Sequence, residues 1–413
     1  MNVLFVVCDG MADRPVRELG RKTPLQVAKT PNMDRLAEIG ITGIVDPVAP
    51  GVPPGSDVAN MALLGYDPYE HYTGRGAFEA LGAGIELRPG DVGFRCNFAT
   101  VDASGVVVDR RAGRISTEHA SRLAEALSEA AAELGSELGV EAIFTNTVQH
   151  RGVLVLRGEG LSRAVSDTDP GENGKPMLKC VPLDDTPEAR KTAEIVNALS
   201  ERFRAVLSRH PLNKELPVPA NAVLFRGAGT LPEIKPLGEL YRIKGTCVSA
   251  VALVKGVCRA AGLEVLEVPG ATGSYDTDLG AKFSYAIRAL EREADFVFLH
   301  IKATDVASHD HAADKKVAFI ERVDKSLGEA LDRLDLEQET YVLITADHTT
   351  STRTGKHEGD PVPVALAGPE VRPDDVSRFD EVSCARGGLC RLRGMDLMPI
   401  LMNLLGKVKR FGF

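Results

Sequence analysis

Four short runs in this chain are apolar and rich in β-branched residues almost from end to end: residues 3–7, 296–301, 341–345 and 362–366. A strand of that kind has no solvent face, so it belongs in a sheet covered on both sides. Helical patterns, notably residues 277–293 and 315–334, separate the late runs. Strands that alternate with helices imply an α/β fold with a mostly parallel sheet.

The middle of the chain reads differently. Residues 116–134 carry Ala and Leu on one helical face and Glu and Arg on the other. Residues 142–144 and 153–156 read as neighbouring strands, and residues 186–209 as a long amphipathic helix entered at Pro187. Gly/Pro-rich stretches near residues 88–91 and 231–233 bracket this section. The expected organisation is one domain from both chain ends, residues 1–88 and 238–413, interrupted by a smaller inserted α/β domain, residues 89–237.

A chain of 413 residues is too long for one ordinary core, which agrees with two domains. Its net charge of −9 argues against a nucleic-acid partner, which requires a basic face. Seven scattered cysteines with no C-x-x-C suggest free thiols in a reducing compartment. Residue 2 opens the first strand with no charged leader before it, and no apolar run approaches the roughly 20 residues of a membrane helix. The expectation is a cytoplasmic protein without a membrane partner.

In an open α/β sheet, ligands sit outside the carboxyl ends of the strands. Three apolar runs lead there into Asp or His. Asp9 follows the first, Asp305 and His309 the second, and Asp347 and His348 the third, with His357 shortly after. Asp305 and His309 are four apart, so both project from one face of a helical turn. His311 lies off that face. Each residue alone is an ordinary turn or cap residue. Together they can hold two divalent cations, and mixed carboxylate and imidazole donors suit Mn, Zn, Co or Fe better than Ca. Two such ions about 4 Å apart form a clamp for phosphoryl transfer. Ser56 follows Pro53-Pro54-Gly55 at the start of a helical pattern. It reads either as a plain cap or as a nucleophile at a helix terminus that favours anions.

These residues, in Val7-Cys8-Asp9-Gly10, Pro54-Gly55-Ser56-Asp57, Asp305-x-x-x-His309, Ala346-Asp347-His348 and Gly355-Lys356-His357, resemble the alkaline phosphatase superfamily. Further stretches resemble the archaeal-type 2,3-bisphosphoglycerate-independent phosphoglycerate mutases over nearly the whole chain. They are residues 60–68, Thr73-Gly74-Arg75-Gly76, His150-Arg151-Gly152-Val153, Ser166-Asp167-Thr168-Asp169-Pro170 and Phe225-Arg226-Gly227-Ala228-Gly229. The resemblance implies an alkaline-phosphatase-like α/β/α sandwich with an inserted domain. It implies interconversion of 3-phosphoglycerate and 2-phosphoglycerate in glycolysis and gluconeogenesis, with no 2,3-bisphosphoglycerate. Ser56 would take the phosphoryl group and return it to the other hydroxyl of glycerate. One metal ion (Mn, Co, Zn or Mg) would be held by Asp9, Ser56, Asp347 and His348, and a second by Asp305, His309 and His357.

A mutase must retain glycerate and exclude water, and that task falls to the insert. Arg151, Arg226, Lys244 and Arg75 are the candidates for the substrate's anionic groups, with Arg95 and Arg114 behind them, because a guanidinium can bind carboxylate or phosphate with two bonds. Asp167, Asp169 and His150 are the candidates for the general acid/base. The His-Asp-Gly-Arg-Asp stretch of the bacterial and plant-type enzymes does not occur here, so no acid/base assignment carries over from them. A metal-dependent phosphatase or a homoserine-kinase-like phosphotransferase of the same superfamily is the competing reading. A sulfatase is disfavoured, because Gly55-Ser56-Asp57 lacks the C/S-x-P-x-R context of that chemistry.

Overall fold

A computed structural model describes residues 1–412. Among these the strands are β1 (Asn2–Cys8), β2 (Ile41–Asp46), β3 (Val92–Val101), β4 (Val107–Asp109) and β5 (Glu141–Asn146). Next come β6 (Arg151–Arg157), β7 (Ala222–Gly229), β8 (Gly245–Val248), β9 (Glu264–Leu266) and β10 (Phe296–Ile301). The last are β11 (Thr340–Thr345), β12 (Thr349–Ser351), β13 (Lys356–Glu358), β14 (Val362–Ala367) and β15 (Cys390–Arg393). The chain divides into two compact units, Met1–Tyr72 with Glu233–Phe413, and Thr73–Pro232.

The first unit is built on an eight-stranded sheet in the order β15-β2-β14-β11-β1-β10-β8-β9. Only β14 runs against the rest, pairing antiparallel with both β11 and β2. The four apolar runs are β1, β10, β11 and β14, and every residue of β10, β11 and β14 is buried. Residues 3–8 of β1 are fully buried as well. No polar face was available to these sequences, and the sheet gives them none. Helices Pro31–Ile39, Ala313–Leu331 and Leu279–Arg292 pack side by side, and Ser56–Leu63 packs on Ala252–Ala260. The two late helices fall within a few residues of the expected spans, Leu279–Arg292 opening on the Asp278 cap, whose side chain accepts from the Ala281 N–H. All seven cysteines are free, and six are buried.

The second unit is a five-stranded antiparallel sheet in which β3 pairs with β4, β6 and β7, and β6 with β5. Period-two alternation sorts β3. Phe94, Cys96 and Phe98 join a core with helices Thr117–Glu137 and Pro187–Arg209, while Arg95 and Asn97 point to the other face. Both helices begin at side-chain caps, Ser116 and Thr186, with Pro187 at the first helical position.

The insert starts at Thr73 rather than at residue 89, and it returns at residue 232 rather than 237. The reason is the helix Arg75–Gly82, which packs on β3, β6 and β7. A Cβ at Gly76 would collide with the carbonyl oxygens of Gly93 and Gly227, so this helix lies directly on the sheet backbone and is part of the insert. No helix among the described residues is long and apolar enough to cross a membrane.

Candidate active site and metal centre

The register of the central strands builds the first unit's site. Residues β1 and β10 align in parallel as far as Cys8 and Ile301, and β1 aligns with β11 as far as Val7 and Thr345. Asp9, Lys302 and Asp347 therefore emerge side by side at the carboxyl edge. The helix Ala303–His309 then presents Asp305 and His309 on one face, and their side chains meet at 3.2 Å. The hairpin of β12 and β13 brings His357 back, with Nε2 3.5 Å from Asp305. His348 Nε2 lies 3.4 Å from Asp9 Oδ1 and 3.5 Å from Asp347 Oδ2. The rings of His348 and His357 stack at 3.7 Å.

Ser56 is the first helical residue of Ser56–Leu63, and Gly55 occupies the cap position without a side-chain bond. The Ser56 hydroxyl is 3.2 Å from His348 Nε2. All seven residues expected to bind metal or carry the phosphoryl group thus gather at one place. His311 does not join them; its Nδ1 is 3.0 Å from the Thr352 carbonyl oxygen.

Ligand-type atoms converge within 4.8 Å of one another in three overlapping groups: Asp305, His309 and His357; Asp9, His300 and Asp347; and Asp9, Asp305 and His348. The three expected histidines share one device. His309 Nδ1 faces the Gly355 carbonyl at 2.7 Å, His357 Nδ1 the Pro54 carbonyl at 2.8 Å, and His348 Nδ1 the Thr350 hydroxyl at 2.9 Å. A carbonyl can only accept, and the Thr350 hydroxyl gives its proton to Asp305 at 2.8 Å, so each Nδ1 carries a proton and each Nε2 faces the carboxylates. Convergent Nε2 atoms, buried carboxylates and outer groups that fix each ring are what a divalent transition ion requires, so the residues fit such an ion.

The electrostatics show how the cluster tolerates its own charge. Burial disfavours the charge on Asp9 and Asp305, but the Lys302 ammonium and the neighbouring histidines, His300 at Asp9 and His309 and His357 at Asp305, together outweigh it and hold both carboxyls below the usual range. Lys302 Nζ lies 3.0 Å from Asp9 and 2.6 Å from Asp305. Burial pushes Asp347 up to about 7, and Asp9 pushes it the same way. Burial pulls His348 down to about 3. Burial thus drives both Asp347 and His348 toward their uncharged forms.

Four residues of this site were not singled out from the sequence. His300 is fully buried, with Nε2 2.9 Å from Asp9. Its signal was a polar residue inside an apolar strand. Lys302 follows that strand directly. Asn60 lies one helical turn beyond Ser56 and donates to Asp347 at 2.9 Å and to the Ser56 carbonyl at 2.7 Å. Thr350 donates to Asp305 at 2.8 Å. Lys244, expected at the substrate's anionic groups, lies elsewhere. It stands at the amino-terminal start of β8, the opposite end of the sheet, where it is exposed and paired with Glu293.

In the second unit, register again decides. Arg95 sits directly opposite Arg226, and Asn97 opposite Arg151. Like charges across a strand pair are destabilising. Glu79 relieves them in part, accepting from Arg75 at 2.9 Å with Arg95 at 3.7 Å. Burial, with Arg75 close by, pulls Arg95 down to about 9. Arg95 Nε, Asn97 Oδ1 and His150 Nδ1 are buried without a hydrogen-bond partner among the described residues. Burial, then the field of Arg151 and Arg111, with Arg95 and Arg114 adding to it, pushes His150 down to about 4, so it is a neutral imidazole. Asp167 is exposed and accepts from the Gly227 N–H at 2.8 Å. Asp169 is taken by a two-bond pair with Arg110, at 2.7 and 2.8 Å, which overcomes its burial and holds it ionised. That pairing explains the Asp169 position as structural and counts against an acid/base task.

The model of the 2,3-bisphosphoglycerate-independent phosphoglycerate mutase family matches residues 37–213, and that of the alkaline phosphatase family residues 272–372. A relative of that mutase name from Archaeoglobus fulgidus is 49% identical over 421 residues, and one from Methanothermobacter thermautotrophicus 46% over 416, each match covering the full length of both chains. The solved cofactor-independent phosphoglycerate mutase of Thermoplasma acidophilum superposes with a TM-score of 0.71 at 37% identity, over 98% of this chain and 99% of that one. A solved protein from Pyrococcus horikoshii gives 0.86 at 40% identity, over 100% and 99%.

Proposed function

This chain belongs to the 2,3-bisphosphoglycerate-independent phosphoglycerate mutases, an isomerase family, and from that premise we propose a phosphoserine route between 3-phosphoglycerate and 2-phosphoglycerate. The observation that carries it is the Ser56 hydroxyl, free of any capping bond and set 3.2 Å from His348 within the carboxylate–imidazole cluster.

Ser56 Oγ gives up its proton and attacks phosphorus, the bond from phosphorus to the substrate oxygen breaks, and that oxygen takes up a proton. The other hydroxyl of glycerate then loses its proton and attacks the phosphoserine, the bond from phosphorus to Oγ breaks, and Ser56 regains its proton. Asp9, Ser56, Asp347 and His348 would hold one divalent ion, and Asp305, His309 and His357 the other. Such ions, Mn, Co, Zn or Mg, would lower the pKa of the serine hydroxyl and offset charge on the transferred group.

The arginine face of the second unit supports a role in binding the anionic substrate. Arg95 opposite Arg226, with Arg75 and Arg151 nearby, is costly without an anion and favourable with one. Asp167 and His150 are the groups left to move the proton. His150 is neutral and its Nδ1 has no partner among the described residues, so it can accept one. A place in glycolysis and gluconeogenesis, in the cytoplasm, follows from the same reading.

The test is an assay started with 3-phosphoglycerate that follows 2-phosphoglycerate and free phosphate together. Conversion to 2-phosphoglycerate with little phosphate is expected, and Ser56→Ala should lower its rate roughly 10³-fold or more without unfolding the protein. Mainly free phosphate would favour a phosphatase, and a wild-type rate in the Ser56 variant would remove the nucleophile assignment. Exhaustive chelation should abolish activity, and Mn, Co, Zn or Mg should restore it to different degrees.

A further inference from the structure

We infer that Thr350 is a positioning residue that couples the two cation sites, because its single hydroxyl orients one ligand of each. The inference rests on the two-metal reading above. Thr350 Oγ1 lies 2.8 Å from Asp305 Oδ1 and 2.9 Å from His348 Nδ1. A carboxylate can only accept, so the hydroxyl proton goes to Asp305. The oxygen is then an acceptor, and the proton between it and His348 must sit on Nδ1. The Nε2 lone pair of His348 is thereby aimed at Ser56, Asp9 and Asp347. Asp305, steadied by the same hydroxyl, directs its oxygens to His309 and His357. One group of ligands therefore cannot shift without disturbing the other.

The hydroxyl is held from several sides. Thr350 is fully buried and pairs directly across the hairpin with His357. Its N–H donates to the Ala12 carbonyl at 3.1 Å. Its own carbonyl accepts from Lys316 at 2.9 Å, and that buried ammonium also reaches the Ala12 carbonyl and Asp13, both at 3.1 Å. The β-branched side chain restricts rotation about χ1. Gly10 leaves the room it needs, since a Cβ there would stand 2.5 Å from the Thr350 hydroxyl.

The experiment titrates metal-free protein with Mn²⁺ and counts sites and affinities in the unaltered chain, Thr350→Val and Thr350→Ser. Valine keeps the shape and removes both bonds, whereas serine keeps the hydroxyl. Thr350→Val should weaken both sites roughly 10- to 100-fold while the metal-free melting temperature and circular dichroism confirm folding. Thr350→Ser should restore most of the affinity. Unchanged binding in the valine variant, or weakening of one site alone, overturns the coupling. If the unaltered protein binds no Mn²⁺, the metal centre itself is wrong and the inference falls with it. Should the valine variant not fold, ¹⁵N-histidine NMR of the unaltered metal-free protein decides instead. His348 as the Nδ1–H tautomer is expected, and the Nε2–H tautomer overturns the argument.

Discussion

A serine at the head of a helix ordinarily spends its hydroxyl on a backbone N–H of the first turn. Ser56 does not, because Gly55 takes the cap position and the side chain is left for His348. The Pro-Pro-Gly sequence before it allowed either outcome, and only the fold separates them. Asp9, Asp305, His309, Asp347, His348 and His357 were legible because polar residues at the ends of apolar strands stand out. His300, Asn60 and Thr350 were not, since each acts through another residue, and a hydroxyl or amide in a core has no sequence mark of its own. Buried Asp13 and half-buried Glu381 make a second polar group away from the ligands. The Glu381 carboxylate accepts from the Asp13 N–H and the Thr23 hydroxyl, yet burial lifts it to about 7. Its unfolded value is about 4.5. The folded state holds the proton more tightly, so this stabilisation is complete below about pH 4.5 and is lost as pH rises through about 7. Glu381→Gln should flatten the dependence, so melting temperatures of the two proteins should diverge between pH 5 and 8. Parallel curves would show that this carboxyl does not set it.

Helices and strands of the first unit were legible from periodicity, since unbroken apolar runs and amphipathic stretches admit few alternatives. The helix Arg75–Gly82 was assigned to the wrong side of the boundary. Its own amphipathic pattern says nothing about which sheet it covers; the closeness of Gly76 to Gly93 and Gly227 does. Gly76→Ala should therefore destabilise the protein by roughly 1–3 kcal/mol, because backbone and not a flexible side chain stands in the way. Denaturant unfolding checks this, and a loss below about 0.5 kcal/mol, the range of ordinary surface changes, would contradict the close packing. The face of Arg95, Arg226 and Arg151 was legible only as scattered arginines. Strand register made them neighbours, and register cannot be read from one strand's sequence alone.

The second unit is continuous in the chain and has its own core. Its ends meet, as the Thr73 hydroxyl donates to the Thr230 carbonyl at 2.5 Å. A fragment spanning residues 73–232 should fold by itself, with cooperative melting and dispersed amide resonances; a broad transition and collapsed spectrum would refute it. The first unit lacks that independence. Its central strand β1 precedes the insert, but both neighbours, β10 and β11, follow it. On the ribosome, the most apolar strand of the molecule therefore waits with two naked edges while the insert is synthesised and folds. On the proposed two-metal reading, a nascent chain in that state would also lack the centre, since Asp9 and Ser56 emerge early and His357 near the end.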